Sequence, residues 1–151
     1  LEWALPSSID RLRISGLGPV EAYADRLAGA HLGVWELSAA QGLAHYAVPQ
    51  ECGFHPGVRW CDVTDANGHG LHVQARSNLG ISLLPYSSAQ IENARHWWEL
   101  PEPAQRTATY LRLRSAQMGV GGDDSWGSPV HDEFQIDATH EQIVDVTLSL
   151  L

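Results

Sequence analysis

The residues with the most chemical potential crowd into one run, Gly119-Val120-Gly121-Gly122-Asp123-Asp124-Ser125-Trp126-Gly127-Ser128-Pro129. Its two adjacent carboxylates invite an acid–base reading. Hydrolysis of a glycosidic bond by such a pair needs the carboxyl groups to face each other across the scissile bond, about 5 to 10 Å apart. Neighbouring side chains in a turning chain point apart, so Asp123 and Asp124 are expected as scaffold, accepting backbone N–H groups that hold the loop rigid. Gly121, Gly122 and Ser125 belong to the same scaffold, because glycine reaches positive φ without a Cβ clash and serine favours turns. That leaves Trp126 near the tip of an ordered loop. Either it folds back as a lid over a core edge, or it is presented to a ligand, aromatic faces being usual stacking surfaces for sugars and bases.

Other candidates are weaker. Among eight histidines the nearest pairs are His69-x-x-His72 and His45 with His55. The first follows Gly68 and contains Gly70, where a helix that would bring both imidazoles to one ion is improbable, so no metal site is expected. Cys52 and Cys61 match no zinc spacing and make no disulfide framework, which suggests two reduced, buried thiols in a cytoplasmic protein. No nucleophile elbow, P-loop or Cys–His pair occurs in a plausible context, and Gly119-x-Gly121-Gly122 fails the dinucleotide pattern at its last glycine.

The elements that must carry these residues read as strands. Leu12 and Ile14 alternate with Arg11, Arg13 and Ser15 over 9–15, up to a turn at Gly16-Leu17-Gly18-Pro19. Glu21, Asp25 and Arg26 then sit in a polar loop. His31 to Ser38 reads as a strand from Leu32, Val34 and an edge Trp35, and Val58 to Thr64 is another whose inner face is ambiguous. Asp65-Ala66-Asn67-Gly68 is a hairpin turn leading to Leu71, Val73 and Ala75 on one face. Ile81 to Leu84 is a short strand. Ser87 caps a helix of about two turns over 88–94. His96 to Leu100 is aromatic and strand-like, with Trp97 and Trp98 on opposite faces. Thr107 to Arg114 points Leu111 and Leu113 inward and Tyr110, Arg112 and Arg114 outward. Phe134 and Ile136 alternate with polar neighbours, and a last strand has Val144, Val146, Leu148 and Leu150 on one face. The sum is an all-β chain of nine or ten strands, an antiparallel β-sandwich forming a single domain over 1–151.

Charge narrows the partners. The chain has 151 residues and a formal charge of −9, and all nine of its basic residues are arginines. That excludes a basic stripe for nucleic acid and a polybasic membrane patch. No apolar run reaches the roughly 18 residues of a spanning helix. The start lacks the basic and apolar regions of a signal peptide, and the missing initiator Met suggests a piece of something longer.

Three blocks carry a resemblance: Gly16-x-Gly18-Pro19-x-Glu21-x-Tyr23-x-Asp25-Arg26; Tyr46-x-x-Pro49-Gln50-Glu51-x-Gly53 with Val58-Arg59-Trp60; and Met118-Gly119-Val120-Gly121-Gly122-Asp123-Asp124-Ser125-Trp126. In this order the chain resembles, over nearly its whole length, the later part of the C-terminal small-chain domain of bacterial family 2 β-galactosidases. The resemblance implies a galactose-mutarotase-like supersandwich, of which this sandwich is a part. It also implies that Trp126 reaches the active site of a catalytic barrel and stacks on the sugar. The catalytic glutamates and the magnesium and sodium sites of the full-length enzyme would lie outside this chain. A galactoside substrate, the barrel and other domains of the same enzyme, and a homo-oligomeric whole are the implied partners. Leu17 and Cys52 stand where that family often has Arg and Asn, and His55 falls near an expected Arg.

Two other function classes remain open. A free-standing carbohydrate-binding module would use Trp126 with Trp97 or Trp98. An aldose-epimerase-like domain would need a Glu base facing a His acid, with Glu51 and His45 or His72 as candidates.

Overall fold

The computed structural model describes residues 1–44 and 46–151, so His45 and any role proposed for it lie outside the described residues. Eight strands are found among them: β1 (Glu2–Pro6), β2 (Arg11–Gly18), β3 (His31–Ser38), β4 (Trp60–Thr64), β5 (Gly70–Ala75), β6 (Gly80–Leu84), β7 (Ala108–Arg114) and β8 (Val146–Leu150). They pair antiparallel throughout, in a three-stranded sheet of order β1-β7-β6 and a five-stranded sheet of order β3-β2-β4-β5-β8. No helix among them is long and apolar enough to cross a membrane.

The period-2 pattern fixes which faces meet. Leu12 and Ile14 of β2, Cys61 and Val63 of β4, and Val73 of β5 pack against Ile81 and Leu83 of β6 and Leu111 and Leu113 of β7. Burying each such aliphatic side chain contributes about 1.5–3 kcal/mol. This settles β4 with Cys61 and Val63 inward and Trp60 and Asp62 outward. Both cysteines are buried and free.

A second cluster, Cys52, Leu84, Tyr86, Ile91, Ala94 and Leu100, covers the other face of the three-stranded sheet. It includes helix α1 (Ser88–Asn93), whose cap is a reciprocal pair of bonds between Ser87 and Gln90. This extra layer changes the fate of Arg112. Alternation points it away from the sandwich core, as expected, yet it is only 2 % exposed.

Other expectations are corrected. Gly16 to Gly18 continue β2, and the turn begins only at Pro19. Gly18 lies against the Trp35 indole, where a Cβ would stand 2.6 Å from the ring, and so does Gly33, where it would stand 2.8 Å away; Gly16, which pairs with Gly33, is crowded instead by Val58, 3.0 Å from a Cβ there. In β3 the inward side chains are Trp35 and Leu37, while Leu32 and Val34 are exposed. His96 to Leu100 is no strand; Trp97–Glu99 is a single 3₁₀ turn, with Trp97 partly buried against the second cluster and no sheet partner among the described residues for either indole. The segment around Phe134 is likewise a 3₁₀ turn, Asp132–Phe134. In β8, Leu148 and Leu150 follow the expected alternation but stay 45 % and 85 % exposed, since the narrower three-stranded sheet does not extend over this edge. β1 has no clear signature in the sequence: Pro6 and a polar Glu2 mask it, and its partner, β7, lies over a hundred positions away.

Candidate functional site

The loop leaving β7 at Arg114 is held from a distance. Asp25, whose side chain is only 6 % exposed, accepts the Val120 N–H on Oδ1 at 3.0 Å and the Gly121 N–H on Oδ2 at 2.7 Å. Gly119 fits against this carboxylate because it has no side chain: a Cβ there would lie 2.7 Å from Asp25 Cγ. The guanidinium of Arg26 donates to the Gly121 carbonyl, and its Nη2 lies 3.7 Å from Asp123 Oδ1. Asp25 and Arg26 are positioned in turn by the Arg26 N–H bond to the Tyr23 carbonyl, 2.8 Å, and by the Tyr23 ring stacked on Phe54. Burial raises the Asp25 pKa, but the two loop N–H groups and then Arg26 outweigh it, so the carboxyl ends below its ordinary value.

The tip has its own scaffold. Asp124 Oδ1 accepts the N–H groups of Trp126, 2.8 Å, and Ser128, 3.1 Å, while Oδ2 accepts the Ser128 hydroxyl, 2.7 Å. These donors, the Ser128 hydroxyl foremost, lower the Asp124 pKa. Gly121, Gly122 and Gly127 take φ of +66°, +85° and +86°, the left-handed region that side chains resist. Ser125 is exposed, and Trp126 stands 93 % exposed at the tip.

Asp123 turns away from Asp124, toward Arg26 and His131, whose Nε2 lies 2.5 Å from its Oδ2. The two carboxylates therefore serve separate partners and do not face a common point. Glu51 gives its oxygens to Arg114, 2.8 Å, and Arg112, 3.5 Å, on the outer face of the three-stranded sheet. His72 binds Asp62, 2.6 Å, on the outer face of the other sheet, so Glu51 and His72 are not brought together. His69 lies 3.6 Å from Asp65. Trp98, 77 % exposed, stacks on His96 with centroids 4.3 Å apart, while the Trp97 indole N–H donates to the Tyr46 carbonyl. Among the described residues no three His, Cys, Asp or Glu side chains converge as a group that could hold a metal ion.

Sequence reasoning missed the anchor. Asp25 and Arg26 read as a solvated loop, and the available signal was the closeness of a strongly hydrogen-bonding pair to a tyrosine that fills the core. His131 as a partner of Asp123 carried no signal at all.

Fold and loop together define an all-β sandwich that carries an exposed aromatic side chain on a hydrogen-bonded loop. The chain belongs to the β-galactosidase small-chain family, whose model matches residues 1–148. It is 48 % identical over 99 % of its length to a β-galactosidase, BgaC, of Bifidobacterium adolescentis, and 47 % identical over 89 % to a β-galactosidase of Streptococcus thermophilus. It is also 35 % identical over 99 % to a β-galactosidase small subunit of Latilactobacillus sakei. The chain spans 14 % and 13 % of the first two relatives and 49 % of the third.

Proposed function

We propose that this chain is a non-catalytic part of a β-galactosidase that hydrolyses terminal β-D-galactosides such as lactose, and that it supplies Trp126 to a sugar held mainly by another domain. The observation that carries the reading is an indole 93 % exposed on a loop pinned by Asp25 and Arg26. A large apolar ring left in water on a hydrogen-bonded loop is suited to stacking, because the backbone that carries it is already ordered and only the two side-chain torsions of the indole are lost when a ligand arrives. Asp123 and Asp124 act as scaffold, with Gly121, Gly122 and Ser125. The acid–base pair, and any magnesium or sodium, belong to the rest of the enzyme.

The test is Trp126→Ala in the whole enzyme. A stacking contact of about 0.5–1.5 kcal/mol predicts a KM for galactosides, or an affinity for glucose as acceptor, about 2- to 10-fold weaker, with Trp126→Phe in between. Unchanged kinetics in Trp126→Ala would remove this residue from the site. Hydrolysis of a galactoside by the 151-residue chain alone would refute the non-catalytic role.

A further inference from the structure

On the opposite flank of the Tyr23 segment lies a cavity of about 280 Å³, walled by Pro19, Val20, Glu21, Leu37, Gln41 and His55, among others. At liquid density this is the volume of roughly nine waters, the scale of one sugar ring. His55 is the unusual member, a histidine only 2 % exposed. Its backbone is bonded to Ile81 in both directions, N–H to carbonyl at 2.8 Å and carbonyl from N–H at 3.0 Å, so the imidazole has a fixed support. Nδ1 lies 3.1 Å from the Leu17 carbonyl. A carbonyl only accepts, so Nδ1 carries the proton and Nε2 presents a lone pair, for which the described residues provide no hydrogen-bonding partner. Burial lowers the His55 pKa, with the Leu17 bond and the Glu21 charge opposing it, which keeps the ring neutral at pH 7.

The other polar groups are equally prepared. Glu21 accepts the Gly53 N–H at 2.6 Å, the Tyr23 hydroxyl at 3.3 Å and the Tyr46 hydroxyl, so its carboxylate is held in one orientation. Gln41 gives its side-chain oxygen to the Ser38 N–H, 2.8 Å, which leaves its NH₂ as a donor. Gly53 itself must be glycine: its φ is +69°, and a Cβ would stand 2.4 Å from the Gly42 carbonyl oxygen. The wall thus offers two acceptors, one donor and an apolar surface from Pro19, Val20 and Leu37.

We propose that the cavity bounded by Glu21, Gln41 and His55 binds one neutral hexose ring, with galactose as the probe. Hydroxyl groups donate to Glu21 and to His55 Nε2, another hydroxyl accepts from Gln41, and the C–H face of the ring lies on Val20 and Pro19. An anion is disfavoured by Glu21 and by the net charge of −9. The site is separate from Trp126 and does not depend on the role proposed for that residue.

The experiment follows the His55 ring and the Gly53 amide of the 151-residue chain by NMR during titration with galactose, with ethanolamine as a cationic control. In parallel, crystals of the whole enzyme are soaked in galactose. Saturable shifts at His55 and Gly53 in the millimolar range, or sugar density in this cavity, are expected. Gln41→Ala, at an exposed position, should weaken binding about 2- to 10-fold, the worth of one hydrogen bond, and His55→Leu should abolish it. Ethanolamine shifting these signals while galactose does not would overturn the proposal, as would water alone in the cavity of soaked crystals. Should the isolated chain not fold, the soaked crystals of wild type and Gln41→Ala decide alone.

Discussion

Arg112 and Arg26 each tie together carboxylates and carbonyls from distant parts of the chain, in opposite surroundings. Arg112 is 2 % exposed, with Nε on Glu2 at 2.6 Å, Nη1 3.5 Å from Glu51 and Nη2 on the Tyr86 carbonyl at 2.9 Å. Arg26, with a side chain 43 % exposed, reaches the Gly121 carbonyl, Asp25 and Asp123. The first cluster stitches β1, β7 and the outer layer into one body. The second orients a single loop that carries almost no core. A buried charge must keep its partners or the fold loses them all, whereas an exposed one can be replaced by water. The same side-chain chemistry therefore serves stability in one place and aim in the other.

The largest expected effect is at Arg112. Arg112→Ala empties a fully buried side-chain site and leaves the Tyr86 carbonyl without its donor, while Glu2 keeps Ser88 and Glu51 keeps Arg114, and should cost about 2–5 kcal/mol in denaturant unfolding. A loss as small as a surface substitution would erase the contrast between the clusters. Next is Asp25→Ala, which leaves the Val120 and Gly121 N–H groups without their acceptor. Their amide exchange should accelerate about 5- to 150-fold, from about 1–3 kcal/mol of local opening, with little change in global unfolding. In the whole enzyme the same change should raise KM in the direction expected of Trp126→Ala. A global loss matching that of Arg112→Ala would make Asp25 a support of the whole fold instead of one loop.

The smallest effect is with pH. Burial raises the Glu2 pKa, but Arg112 and Ser88 outweigh it and leave the carboxyl below its ordinary value of 4.5; Asp25 is likewise below 3.8. For both, the stabilisation is present above the unfolded pKa and is lost as pH falls through the lowered folded value. Acid titration should therefore release the loop amides of Val120 and Gly121 through Asp25 and weaken the β1 edge through Glu2. Protection of these amides, relative to their intrinsic exchange at each pH, that stays constant below pH 4 would show that neither carboxylate is the acid-sensitive link.

Sequence alone displayed some of this plainly and hid the rest for definable reasons. Leu12, Ile14, Leu111 and Leu113 alternate with polar residues and all face the core, because one sheet face buries one phase of the pattern. The left-handed glycines 121, 122 and 127 were legible as a turning loop from composition. Arg112 was not, since alternation reports which face a side chain takes and says nothing of a further layer over that face. Leu148 and Leu150 show the converse: a strand can keep its phase where the opposing sheet has run out. The dependence of the 119–129 loop on Asp25 left only an indirect trace, the Asp-Arg pair close to Tyr23, because the two segments lie about a hundred positions apart.

The sheet topology also has a timetable. Among the described residues β1 pairs with β7 alone, and Trp3 and Leu5 are synthesised long before Leu111, opposite Trp3, exists. At ribosomal rates of about 5–20 residues per second, roughly 5–20 s separate the two strands. Throughout that interval the indole of Trp3 and the side chain of Leu5 wait for the strand they pair with in the folded chain. The β1–β7 edge is therefore among the last parts of the sandwich that the growing chain can close.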